Sequence, residues 1–168
     1  MKKIVIVNSS PRRQGNCETL CDIFAHEVLT NGHCEVGRIN LNDKAFGYYG
    51  EEQADDGFES VVNELAQADT IVLATPLYFY NMSGQLKVFI DRLLPYFPRL
   101  ADKDFYFILT AATPKQSMEL AADSLTAFTD SLPGACVKEI FYCPNVSRKG
   151  EAANHEVAEL IRNTARNL

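Results

Sequence analysis

The sequence predicts a doubly wound α/β fold of five parallel strands in the order 2-1-3-4-5, with helices on both faces. Three observations carry this reading. Short apolar runs alternate with longer stretches of helical periodicity along the chain, and strands separated by helices form parallel sheets. The first, third and fourth runs are continuously apolar, as strands covered on both faces are, whereas the second and fifth are mixed, as edge strands are. The length of 168 residues suits a single domain spanning 1–168, long enough to bury roughly two-thirds of its unfolded surface.

Each element has its own signal. Ile4 to Val7 is a β-branched run closed by the turn formers Asn8-Ser9-Ser10-Pro11. A helix follows from about Asn16, with Leu20, Ile23, Phe24 and Val28 on one face, and stops near Asn31-Gly32. Val36 to Leu41 reads as the second strand, carrying Arg38. Phe58, Val61, Val62, Leu65 and Ala66 have amphipathic helical spacing, with Asp55-Asp56 placed to cap that helix. Thr70 to Ala74 is the third strand, ended by Thr75-Pro76, and a helix over Ser83 to Leu94 carries Leu86, Phe89, Ile90 and Leu93. Phe105 to Leu109 is the fourth strand, and Met118, Ala121, Ala122, Leu125 and Phe128 mark its helix. A fifth strand around Val137 to Tyr142 precedes a closing helix through Val157, Leu160, Ile161 and Thr164.

Composition removes several classes. With 16 basic and 22 acidic residues the formal charge is −6, so no nucleic-acid partner is expected, since such binders gather an excess of Lys and Arg. No apolar run approaches the ~18 residues of a membrane span, and the N-terminal run turns polar at Asn8, too soon for a signal peptide. Cys17, Cys21, Cys34, Cys136 and Cys143 are scattered, with no C-x-x-C pair. They read as small buried hydrophobes in a reducing cytoplasm, not as a disulfide framework or a zinc site.

In a doubly wound sheet of this order the ligand crevice opens at the carboxyl ends of the first and third strands. The first strand runs into Asn8-Ser9-Ser10-Pro11-Arg12-Arg13-Gln14-Gly15-Asn16-Cys17-Glu18-Thr19. Hydroxyls, an amide, arginines and a helix N-terminus together make a cradle for a phosphate. Ser, Pro, Gly and Asn are also what an ordinary turn uses, with Asn16 as an N-cap. The loop matches neither G-x-x-x-x-G-K-[ST] nor G-x-G-x-x-G, so it is not a nucleoside-triphosphate or dinucleotide motif. After the third strand comes Thr75-Pro76-Leu77-Tyr78-Phe79-Tyr80-Asn81-Met82-Ser83-Gly84. Its three consecutive aromatics can wall a planar heteroaromatic ring, plug the interior or serve a subunit contact.

Ser9 to Asn16 resembles the G-S-P-R-x-x-G-N-T loop of the flavodoxin-like NAD(P)H-dependent FMN (flavin mononucleotide) reductase family. Ala68-Asp69, Thr75-Pro76-Leu77-Tyr78 and Ser83-Gly84-Gln85-Leu86-Lys87-Val88-Phe89-Ile90-Asp91-Arg92 are similar to its second signature, A-D, S-P-x-Y and S-G-x-L-K-x-F-x-D-R. The resemblance extends over nearly the whole chain. It implies a flavodoxin-like fold, with the FMN phosphate held by Ser9, Ser10, Arg12, Asn16 and the backbone of Cys17 and Glu18. It places the ring against Pro76, Leu77, Tyr78, Phe79 and Asn81, and under a third loop at Thr110 and Ala111. It further implies NADH or NADPH as co-substrate, a small electron acceptor such as a quinone, and a homodimer or higher homo-oligomer to which Tyr48-Tyr49 and the aromatic loop contribute. No residue is assigned a catalytic role, and Lys87, Asp91 and Arg92 read as a structural ion-pair cluster.

Two positions depart from the family pattern. Cys17 stands where the family has Thr, removing one hydroxyl from the cradle. The segment from Asp43 to Glu52 has no cysteine, where related iron–sulfur flavoproteins hold their cluster, so no iron is expected. A flavodoxin-like electron carrier without nicotinamide activity is the competing reading, and a module that has lost its flavin the third. A low-molecular-weight tyrosine phosphatase needs C-x-x-x-x-x-R in the first loop and a receiver domain needs an acidic cluster there; neither is present.

Overall fold

The computed structural model describes residues 1–51 and 55–168. Five strands, β1 (Lys2–Asn8), β2 (Cys34–Asn40), β3 (Thr70–Pro76), β4 (Asp104–Thr110) and β5 (Cys136–Cys143), form one parallel sheet in the order β2-β1-β3-β4-β5. They alternate with α1 (Asn16–Thr30), α2 (Phe58–Ala66), α3 (Gly84–Arg92), α4 (Glu119–Asp130) and α5 (Glu156–Arg166). The predicted order and the division into central and edge strands both hold. Every residue of β3 is buried, whereas β2 and β5 mix buried, half-buried and exposed positions.

The period of two along each strand divides the core into two layers. Val5, Val7, Ile71, Leu73, Phe105 and Phe107 face α2, α3 and α4, where they meet Phe58, Leu65, Phe89 and Leu125. Ile4, Ile6, Val72, Tyr106, Ile108 and Phe141 face α1 and α5, meeting Leu20, Phe24, Val28 and Ile161. Each large side chain buried this way stabilises the fold by roughly 1.5–3 kcal/mol. The buried Lys103 serves the end of α2: its Nζ donates to Ala66 O at 3.0 Å and Ala68 O at 2.6 Å. A cation there complements the carbonyl end of the helix, while burial pulls its pKa below the usual lysine range.

Differences from expectation lie at element ends. β2 begins at Cys34 and ends at Asn40, and Leu41 opens a short 3-10 turn to Asp43. α3 starts at Gly84 with Ser83 as its N-cap, and Leu94 belongs to a following 3-10 segment, Leu94–Leu100. Ladder pairing across the sheet extends β2 through Cys34 and Glu35, opposite Lys2 and Lys3, although these positions carry no apolar run. Among the cysteines, all five are free thiols, and Cys136 is only partly buried. No helix among the described residues is long and apolar enough to cross a membrane.

Candidate functional site

The connections from β1 and β3 leave in opposite directions, and the crevice between them is where loops of three strands converge. The first loop is set by local side-chain bonds. Asn8 Oδ1 accepts from Ser10 N at 3.1 Å, and Ser10 Oγ accepts from Arg12 N at 3.2 Å. Gly15 N donates to Arg12 O at 3.2 Å, and a Cβ on Gly15 would come within 2.9 Å of that oxygen, so only glycine fits. Gln14 takes a positive φ of 55° and gives its N–H to the Glu18 carboxylate.

Gly15 is the N-cap of α1 and caps with no side chain. The amides of Asn16, Cys17 and Glu18 therefore have no acceptor among the described residues, and a free helix N-terminus favours an anion. Asn16 is thus not the N-cap but the first helical residue. Its Oδ1 accepts from Ala152 N at 3.1 Å, which leaves its NH2 group as an available donor. Arg12 is exposed and reaches Ser147 O at 3.2 Å. Cys17 turns its sulfur under the loop, 3.1 Å from Thr110 Oγ1, and burial pushes the thiol pKa up to about 12, so it stays protonated.

The second loop is anchored at Leu77, whose N–H donates to Thr110 O at 2.8 Å, and then reverses in a two-residue turn. Tyr78 and Asn81 exchange backbone bonds of 3.0 and 3.2 Å, with Phe79 and Tyr80 at φ of 49° and 68°. Two bulky residues in the left-handed region form an uncommon, strained turn. This turn throws Phe79 outward, 98% exposed, so Tyr78 alone of the three aromatics lines the crevice. Burial raises the Tyr78 pKa, with the Arg12 charge pulling it back. The third loop leaves β4 at Thr110, and Val146 N donates to Ala111 O at 2.9 Å, drawing the β5–α5 connection over the same space.

The resulting cleft, of about 180 Å³, brings together Ser10, Arg12, Asn16, Cys17, Pro76, Leu77, Tyr78, Thr110 and Ala111 of the residues singled out in the sequence. Ser9, Glu18, Phe79 and Asn81 do not line it. Ser9 is fully buried beneath, its hydroxyl donating to Ala74 O at 2.9 Å, and Asn81 turns its Oδ1 onto Met82 N at 2.8 Å. Gly15, Ala112, Val146 and Ser147 line it as well. The rule that ligands sit at strand carboxyl ends would have pointed to the loop after β5, although no local motif marks it. Among the described residues no group of three or more His, Cys, Asp or Glu side chains could hold a metal ion.

A larger apolar groove of about 590 Å³ lies away from these loops, between Tyr48, Tyr49, Leu93, Leu94, Phe97 and Phe128. Its lining carries the Asp91 carboxylate and no Lys or Arg, so the smaller cleft is the one suited to an anion beside a ring.

The chain is 32% identical over 103 residues to an iron-sulfur flavoprotein of Archaeoglobus fulgidus, covering 56% of this chain and 46% of that protein. It is 29% identical over 93 residues to a putative NAD(P)H-dependent FMN-containing oxidoreductase of Bacillus subtilis, covering 54% and 51%. The match thus spans about half the length of these curated relatives. Among solved structures, the apo form of an NADH:FMN oxidoreductase superposes with a TM-score of 0.79 at 25% identity, over 99% of this chain and 88% of that one. The sequence model for NADPH-dependent FMN reductase matches residues 2–147, and the chain belongs to that family.

Proposed function

We propose that the chain holds FMN in the cleft, takes electrons from NADH or NADPH and passes them to a small acceptor such as a quinone. The observation that carries this reading is the uncapped N-terminus of α1, set beside Arg12 and the Asn16 NH2 group and opposite the apolar surface of Pro76, Leu77 and Tyr78. That pairing suits one terminal phosphate monoester and one planar ring, as in FMN. When bound, FMN supplies the redox chemistry. The protein's part is to bind and orient: amides and arginine fix the phosphate, while Tyr78 and the backbone of Leu77 confine one side of the ring. Protonated Cys17 and Tyr78 add no negative charge beside the phosphate. One substrate-facing side shared by donor and acceptor implies ping-pong kinetics.

Anaerobic stopped-flow mixing of the flavin-loaded protein with each nicotinamide tests this directly. Bleaching of the flavin band by one of them, faster than free FMN bleaches, followed by reoxidation by a benzoquinone, is the expected result. A flavin that stays oxidised with both nicotinamides replaces the reductase reading with that of an electron carrier. The chain's assembly belongs to the same reading: it acts as a homodimer, supported by the exposed Tyr48, Tyr49, Leu94 and Phe97 around the apolar groove. Its free thiols suit a cytoplasmic, reducing setting.

A further inference from the structure

The two halves of the cleft are joined underneath by a pair of serine hydroxyls that touch neither the cleft nor solvent. Ser83 Oγ donates to Ser9 Oγ at 2.9 Å and also approaches Ser9 O at 3.2 Å. Ser9 Oγ in turn donates to Ala74 O, and Ser83 Oγ accepts from Leu86 N at 3.3 Å as the N-cap of α3. Ser83 N is held by Thr75 Oγ1 at 2.9 Å. Ser9, Thr75 and Ser83 are all 0% exposed. Both hydroxyl protons are donated and each oxygen accepts one hydrogen bond, which fixes the order of donors along the chain Leu86 N, Ser83 Oγ, Ser9 Oγ, Ala74 O.

What this pair connects is decisive. Ser9 immediately precedes Ser10 and the loop leading to the α1 N-terminus. Ser83 ends the strained turn that carries Tyr78. Among the described residues, the Ser83–Ser9 bonds are the hydrogen bonds joining residues 75–84 to residues 9–16. Leu77 anchors the other end of the turn, but to Thr110 of β4, not to the first loop. A turn with two bulky residues at positive φ persists only where its surroundings hold it. Besides Thr110 and Thr75, the first loop itself is therefore one of its anchors.

We propose that Ser9 and Ser83 are positioning residues that couple the anion half of the cleft to its ring half, so that an anion on the first loop strengthens ring binding on the second. The inference rests on the flavin reading above and adds to it a mechanism of cooperativity within one cofactor site. By linkage, ring binding strengthens anion binding by the same factor.

The test splits the cofactor into its parts. Riboflavin affinity of the apoprotein is measured by fluorescence with and without saturating inorganic phosphate, and FMN affinity is measured alongside. In the wild-type protein phosphate should tighten riboflavin binding by about fivefold or more, the low end of ordinary coupling. In Ser83→Ala the factor should fall towards one, and Ser83→Thr, which keeps the hydroxyl, should restore it. Ser9→Ala removes the Oγ–Oγ bond, leaves Ser83 Oγ only the longer approach to Ser9 O and keeps the α3 cap, so a reduced factor there separates coupling from helix capping. A merely structural loss would weaken both ligands in parallel and leave the factor intact, and that result overturns the proposal. A wild-type factor of one with FMN still bound also overturns it and leaves the flavin reading standing. A wild-type protein that binds no FMN takes both down.

Discussion

On the proposed reading Asn16 serves fold and ligand at once. Its carbonyl end accepts from Ala152 N and ties α1 to the turn before α5, which leaves the NH2 end beside the free amides of α1. Asn16→Asp would keep the first contact and replace the donor by a negative charge. A hydrogen bond to a charged group is worth about 1.5–3 kcal/mol, so FMN affinity should fall roughly 10- to 150-fold with the thermal midpoint of the apoprotein nearly unchanged. Unchanged FMN affinity in a flavin titration would place the phosphate elsewhere. The grouping of these polar atoms was legible in the sequence because a strand ending in Asn-Ser-Ser-Pro before a helix puts them in one short loop. Ser9 and Ser10 are chemically alike, yet only Ser10 lines the cleft, because successive residues leaving a strand point to opposite sides. Phe79 stays outside the cleft lining because its φ is set by the turn and not by residue type. Val146 and Ser147 had no signature, since a long-range backbone bond to Ala111 brings them over the cleft.

The segment before α2 is held by a clasp that composition suggested only in part. Gly57, not an aspartate, is the N-cap of α2, but both aspartates hold the backbone entering it: Asp56 Oδ1 accepts from Phe58 N at 3.1 Å and Asp55 Oδ1 from Gly57 N at 3.0 Å. Lys87 pairs with Asp91 one turn on, but Arg92 leaves that cluster and forks onto Asp56, at 2.7 and 3.3 Å. It also donates to Gly47 O at 3.1 Å and lies 4.4 Å from the Phe58 ring centre. Helical spacing can reveal the Lys87–Asp91 pair, but not a partner 36 residues away. The Arg92 hydrogen bonds hold the Asp56 carboxyl below its usual pKa. A depressed folded-state pKa means that the stabilisation is complete above the unfolded value of about 4 and is lost as pH falls through the folded one. Both side chains are largely buried, so Asp56→Asn should cost about 3 kcal/mol near neutral pH. Urea midpoints of the two proteins should then converge below about pH 4. A gap that persists undiminished into acid would mean that packing, not the ion pair, sets it.

Sheet order followed from apolar runs because burial on two faces is a property of the whole arrangement that each strand records locally. Assembly is not recorded that way, since an exposed aromatic reads alike whether it meets water or another chain. The groove beside α3 supplies the missing argument. Leu94 and Phe97 stand on the 3-10 segment Leu94–Leu100, and Tyr48 and Tyr49 face them across an apolar floor. All four remain exposed in one chain. A stable interface buries about 1,600 Å² in total with an apolar centre, and this groove is the apolar centre the surface offers. Each chain carries a formal charge of −6, so two chains repel at long range while the contact itself is apolar. Salt screens the repulsion within about 8 Å at physiological ionic strength and leaves apolar burial intact. Association should therefore tighten as salt rises from about 10 to 150 mM, the reverse of a dimer held by ion pairs. Sedimentation velocity at micromolar concentration should show a dimer that Phe97→Asp converts to a monomer, because a carboxylate would be buried without a partner. A wild-type protein that sediments as a monomer across this salt range would remove the groove from the interface and leave the proposed flavin cleft to work in a single chain.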